Sequence, residues 1–158
     1  MKIIGIDPGT AIVGFGVIET NGQKHSLVDA GVIRTPAHQD LELRLKTIFE
    51  SLNEIIEVNK PEIMVVEKLF FARNVTTAMS VSHARGVIYL SGVLAGVKVV
   101  EYTPLQIKQA LTGYGRADKN QIQEMVKIML SLNEKPKPDD CADALAAALT
   151  HATNSLLY

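Results

Sequence analysis

Tryptophan is absent from this chain, and cysteine occurs once, at Cys141. A lone thiol excludes any intrachain disulfide, so the fold must rest on its core, and the four histidines show no zinc-ligand spacing. Aromatic residues make up only 5% of the chain, which makes the adjacent pair Phe70 and Phe71 conspicuous. No apolar run suits a bilayer: the longest weakly charged stretch, 74–96, carries Thr76, Thr77, Ser80, Ser82, His83 and Arg85. Nor does the N-terminus show a signal-peptide pattern, and the expectation is a cytoplasmic protein with no membrane partner. A formal net charge of −1 argues against a basic footprint covering the whole molecule.

What is present suits an ordinary globular protein. At 158 residues, 47% apolar and 21% charged, the chain can form one domain, 1–158, around a sizeable core. Short isoleucine- and valine-rich runs predict strands at 2–7, 13–19, 26–34, 63–67 and 98–102, with Asn21-Gly22 as a hairpin turn. Helical periodicity begins at Asp40 and stops at Asn59-Lys60-Pro61. Further helices are predicted over 74–95, 104–111, 120–130 and 139 to about 155, the second of them opened by Thr103 and Pro104. Gly113 and Gly115 mark 112–120 as a mobile connector, and Lys135-Pro136-Lys137-Pro138 as a stiff linker follows it. This order describes an α/β fold, a mixed sheet flanked by helices on both faces.

The helix over 74–95 is apolar on more than one face, through Val75, Ala78, Met79, Val81, Ala84, Val87, Ile88, Leu90, Val93 and Leu94. A surface helix of a monomer shows one apolar stripe, so a second subunit is expected to cover the other side, making a homodimer. The alternative is a helix buried centrally in a monomer.

Four or five acids are placed awkwardly for solvated charges. Asp7 closes the apolar run Lys2–Ile6, Glu67 closes Ile63–Val66, and Asp139, Asp140 and Asp143 open an otherwise apolar final helix. Acids three apart on a helix lie roughly 5–6 Å from each other at Cβ. Each has a plain explanation taken alone: a turn cap for Asp7, favourable first-turn charges for the helix acids, a lysine partner for Glu67. Together they point to a site, because close carboxylates without counter-charge repel. Two divalent cations about 3.5–4 Å apart would resolve the repulsion and supply phosphoryl-transfer chemistry. Oxygen-only donors suit Mg²⁺, with Mn²⁺ as a substitute, rather than zinc. Spacing alone leaves Asp139 and Asp140 both open as ligands. His151 is about 16 Å further along the same helix and is not expected to join them. Cys141 is read as a small packing residue, and Phe70-Phe71 as either core or a base-stacking pair. A local excess of positive charge runs through Lys108, Arg116, Lys119, Lys127, Lys135 and Lys137; a solvated surface is the alternative reading.

These residues fall into a known order. Ile4-Gly5-Ile6-Asp7-Pro8-Gly9-Thr10, Val66-Glu67-x-x-Phe70, Ala84-Arg85-Gly86, Lys108-Gln109 with Gly113, and Asp140-x-x-Asp143-Ala144-Leu145 resemble the RuvC family of Holliday-junction resolvases. The resemblance runs from about residue 2 to residue 155. It implies a ribonuclease H-like five-stranded mixed sheet, a homodimer, and hydrolysis with two Mg²⁺ per subunit that nicks a four-way DNA junction symmetrically. It assigns Asp7, Glu67, Asp140 and Asp143 as catalytic metal ligands. Lys119 and Lys108 match the family's basic residues near the scissile phosphate, and Phe70 its junction-contacting aromatic. Arg73 and Arg116 join them as candidate nucleic-acid contacts, and the RuvA–RuvB branch-migration complex as an implied partner. Lys68 departs from the uncharged polar residue expected there, and the chain lacks the longer basic tail of some members, for which weaker non-specific DNA affinity is expected.

Three other readings compete. Actin-like sugar kinases and ATPases share an Asp-x-Gly-Thr turn, but they need two such domains and a second phosphate loop. A junction-binding scaffold without catalysis would not need the acids. The shorter resolvase-like protein YqgF has the first aspartate motif but not the Glu67–Phe70 run in this form.

Overall fold

The computed structural model describes residues 1–68 and 75–155, without the side chains of residues 75 and 76. Phe70, Phe71 and Arg73 lie outside the described residues. The strands are β1 (Lys2–Asp7), β2 (Ile12–Thr20), β3 (His25–Arg34), β4 (Ile63–Glu67) and β5 (Lys98–Tyr102). The helices are α1 (Leu41–Asn59), α2 (Val75–Leu94), α3 (Pro104–Thr112), α4 (Lys119–Met129) and α5 (Asp139–Asn154). Every predicted element is present, with boundaries shifted by a residue or two.

The strands form one sheet in the order β3-β2-β1-β4-β5. Two hairpin connections make β1, β2 and β3 antiparallel, whereas β4 and β5 arrive through helical crossovers and lie parallel to β1. Alternation of side chains along a strand then sends alternate residues to opposite faces. Ile4, Ile6, Met64 and Val66 pack beneath α1 and α2 with Ile48, Leu52, Ala84 and Ile88. Ile3 and Val65 face α3, α4 and α5, where Leu145, Leu149, Ile107, Ile122 and Val126 complete a second core. The expected helices on both faces are therefore present.

α5 lies unusually deep on the sheet. Ten of its residues, from Cys141 to Ala152, are buried, and six of these ten are alanines. Small side chains let its backbone approach glycines of β1 and β2.

The segment between α3 and α4 is more tightly held than its two glycines suggest. Gly113 ends α3 in a left-handed conformation (φ 71°) and donates its N–H to Gln109 O. The Thr112 hydroxyl donates to Lys108 O at 2.7 Å and accepts from Tyr114 N at 3.1 Å. Ala117 is buried and donates to Tyr114 O, and Asp118 then opens α4 with a reciprocal capping box to Gln121. Local hydrogen bonds supply the order that glycine content does not reveal.

Candidate active site

Register alone brings the first two acids together. β1 and β4 are parallel neighbours with Ile6 opposite Val66, so Asp7 and Glu67 sit side by side at their carboxyl ends. Each is two residues beyond one that faces α5, Gly5 and Val65, and so each side chain is directed to that face. α5 crosses there with its first turn, bringing Asp140 and Asp143. Ligand sites in open α/β sheets form at such carboxyl ends.

The electrostatics record the convergence. Burial, then the negative charges of Glu67, Asp143 and Asp140, push the Asp7 carboxyl up to about 8. Burial and Asp143 likewise raise Glu67, against the pull of Lys119, Arg85 and Lys108. For Asp143, burial outweighs the lowering by Lys119. Lys119 is the cation in direct contact with the helix acids: its Nζ lies 3.1 Å from Asp143 Oδ2 and 3.2 Å from Asp139 Oδ2. Partial burial works against the Lys119 ammonium, but its bonds to the two carboxylates hold its pKa above the ordinary value.

Asp139 and Asp140, equivalent by spacing, occupy different surroundings. Asp139 is exposed and held by Lys119 and by Gln123, whose amide donates at 2.9 Å; these bonds keep its carboxyl below the usual range. Both acids add their negative charge at Asp143, but of the two only Asp140 acts on Asp7.

Two cavities flank Glu67. One, of about 200 Å³, is lined by Glu67, Asp143, Lys108 and Lys119 with Pro104, Ile107, Ile122 and Ala146. The other, of about 270 Å³, is lined by Asp7, Pro8, Glu67, Lys68, Val81, Arg85 and Pro104. Lys108 and Lys119 are thus brought to the acids. Arg116 lies on the ordered turn between their helices. Among the described residues, no three acidic, histidine or cysteine side chains lie close enough to share one cation as they stand. Their chemistry nonetheless fits hard divalent cations: the donors are all carboxylate oxygens, and their mutual repulsion demands positive charge.

Cys141 is buried, its thiol raised first by burial, and it packs as expected. His151 is spent on Tyr102, whose hydroxyl lies 2.9 Å from His151 Nδ1. Two roles escaped sequence reasoning, although Arg85 itself stands in one of the motifs. Arg85, almost fully buried, donates to Glu67 O, to Glu101 and to the Tyr89 hydroxyl, so it braces the end of β4. Tyr114 is the one exposed aromatic among the described residues, presented on the turn before α4. A basic residue in an apolar helix was the available signal for the first; nothing in composition marked the second.

Comparison with known proteins gives the family. The family model for crossover junction endodeoxyribonuclease RuvC matches residues 3–151. A crossover junction endodeoxyribonuclease RuvC of Brevibacillus brevis is 59% identical over 152 residues, 96% of this chain and 92% of that one. One from Heliobacterium modesticaldum is 56% identical over 149 residues, covering 94% and 92%. Thermus thermophilus RuvC in complex with a Holliday-junction substrate superposes with a TM-score of 0.95 at 38% identity, covering 99% of this chain and 96% of that one. With its acids at the strand ends and on the closing helix, and with a match over nearly its whole length, this chain belongs to the RuvC family of crossover junction endodeoxyribonucleases.

Proposed function

We propose that the protein resolves four-way DNA junctions in recombination and repair, as one nuclease domain per subunit of a homodimer in the cytoplasm. The observation that carries this reading is the convergence of Asp7, Glu67, Asp140 and Asp143 beside Lys119 and Lys108. The four carboxylates would hold two divalent cations, Mg²⁺ or Mn²⁺. Bound there, these would supply Lewis acidity, acidifying an attacking water and offsetting charge on the departing oxygen. Lys119 compensates the acids before DNA arrives, and with Lys108 it faces the same cavity, where a phosphate would be drawn in. Arg116, and by family resemblance Phe70 and Arg73, would extend the DNA-binding surface. No helix among the described residues is long and apolar enough to cross a membrane. The RuvA–RuvB complex is the partner that the family implies.

The test compares cleavage of a synthetic four-way junction with that of linear duplex, with and without Mg²⁺. Metal-dependent, paired nicks on the junction alone are expected; equal cutting of duplex would overturn the reading. In the same assay Lys119→Ala should slow cleavage and reduce the salt dependence of binding by about one charge. An unchanged rate removes Lys119 from the site.

The homodimer is read from α2. Met79, Leu90, Val93 and Leu94 are all more than half exposed, and at 100° per residue they span only about 100° of the helix. The opposite side, with Ala84, Ile88 and Ser91, is buried in the monomer. A two-fold pair of such helices would place two sites to match the near two-fold symmetry of a junction. Leu90→Asp combined with Val93→Asp is expected to give monomers in sedimentation and to uncouple the two nicks. A variant that remains dimeric would place the interface elsewhere.

A further inference from the structure

Three glycines on neighbouring strands face α5 where almost no space remains. A Cβ on Gly5 would lie 1.9 Å from Ala144 O and 2.8 Å from Ala148 N; one on Gly16 would lie 2.5 Å from Leu145 Cδ2 and Cγ. One on Gly14 would lie 2.0 Å from Asp140 O, 2.5 Å from Asp140 C and 3.0 Å from Asp140 Cβ. Glycine within a strand costs about 0.5–1 kcal/mol relative to alanine, and its use there marks close approach of another backbone. None of the three has a φ in the left-handed region. Space, not backbone conformation, therefore excludes a side chain.

The trough does two different things. Gly5 and Gly16 receive Ala144 and Leu145, which are buried packing residues. Gly14 receives an acid of the site, and its register partner is another: Asp7 pairs with Gly14 across the β1–β2 ladder. We propose that Gly14 is a positioning residue whose missing side chain sets the depth at which Asp140 meets Asp7. The inference rests on the proposed metal site and names what sets its dimensions. Real Cβ atoms essentially never approach closer than 3.0 Å, so a Cβ that would stand 2.0 Å from Asp140 O forces a retreat of about 1 Å. A displacement of that size at a reacting centre reduces rates by on the order of 10²-fold. The atoms that must move are backbone, so no change of rotamer relieves the contact.

The test follows thermal unfolding of the DNA-free protein as Mn²⁺ is titrated, alongside junction cleavage. Gly14→Ala is expected to raise the Mn²⁺ concentration for half-maximal stabilisation about tenfold or more. Gly16→Ala, whose new methyl meets chiefly the Leu145 side chain and not the backbone of an acid, lowers the melting temperature but keeps the wild-type Mn²⁺ requirement. Adding Asp140→Glu to Gly14→Ala restores reach by one methylene and brings the requirement back to within about threefold of wild type. If Gly14→Ala does not fold, Asp140→Glu alone decides: at the depth that Gly14 allows, the longer side chain overshoots and needs about tenfold more Mn²⁺. A wild-type requirement in Gly14→Ala or in Asp140→Glu, an equal shift in Gly16→Ala, or no rescue in the double variant overturns the proposal. A wild-type protein that Mn²⁺ does not stabilise at all overturns the metal reading first.

Discussion

Asp7→Asn is expected to abolish junction cleavage and, without divalent cations, to make the protein more stable. Both effects have one cause. The Asp7 carboxyl is pushed up from 3.8 to about 8 by burial and by Glu67, Asp143 and Asp140. Its folded pKa lies above its unfolded one, so between those values the folded state binds more protons. Stability therefore falls as pH rises from about 4 to 8, and above 8 the loss is complete. Each unit of displacement corresponds to about 1.4 kcal/mol. Asparagine keeps the shape and removes the charge. Three neighbouring acids share the repulsion, and their relaxation takes part of the gain, leaving on the order of 2–4 kcal/mol at pH 8. That corresponds to a melting temperature higher by roughly 5–15 °C at pH 8, with a much smaller gain at pH 5. Cleavage should fall on the order of 10³-fold or more, because several kcal/mol of charge stabilisation disappear. Junction binding should persist, since phosphates and DNA shape carry it. Thermal melts at pH 5 and pH 8 without cations, with gel-shift and cleavage assays, test each part. A variant that still nicks junctions, or that melts lower at pH 8, contradicts the account.

Arg85→Ala should destabilise the fold by breaking the brace at the end of β4. Its guanidinium, 10% exposed, pairs with Glu101 and donates to Tyr89 and to Glu67 O. The guanidinium carbon also lies 5.3 Å from the centre of the Tyr89 ring. Burial, then the hydrogen bond to Glu101, pushes the Tyr89 hydroxyl up to about 12, so it remains a donor at all working pH values. Removing the cation leaves a strand-end carbonyl without its donor and a partly buried carboxylate held by the Tyr89 hydroxyl alone. Breaking a fully buried pair costs about 3–5 kcal/mol; with Glu101 38% exposed, about 2–3 kcal/mol is expected. The melting temperature should drop by roughly 5–10 °C. Arg85→Lys should recover part of this, because lysine restores charge but not the planar fork. Urea unfolding checks the magnitude, and a change under about 0.5 kcal/mol, the scale of an ordinary surface substitution, would show the network to be incidental.

Much of the fold was legible along the chain because its signals are local. Isoleucine and valine runs marked all five strands, Thr103 and Pro104 marked the start of α3, and Asn59-Lys60-Pro61 marked the end of α1. The order of hairpins before crossovers was enough for a mixed sheet with two covered faces. Where composition misled, hydrogen bonds decided: the turn around Gly113 and Gly115 is pinned by Thr112, Gln109 and the Asp118 cap.

The site divides along the same line. Which residues are acids out of place is a property of the sequence, since hydrophobic patterning tells strand ends and a core-facing helix from solvated surface. Whether Asp139 or Asp140 joins Asp7 depends on the rotation and depth of α5, which glycines and alanines far apart in the chain decide by steric contact. The bracing of Glu67 by Arg85 likewise exists only once α2 lies beside β4 and β5. Patterning and capping act over a few residues and can be read from order alone, whereas packing distance between elements is a sum of contacts that exists only in the assembled molecule.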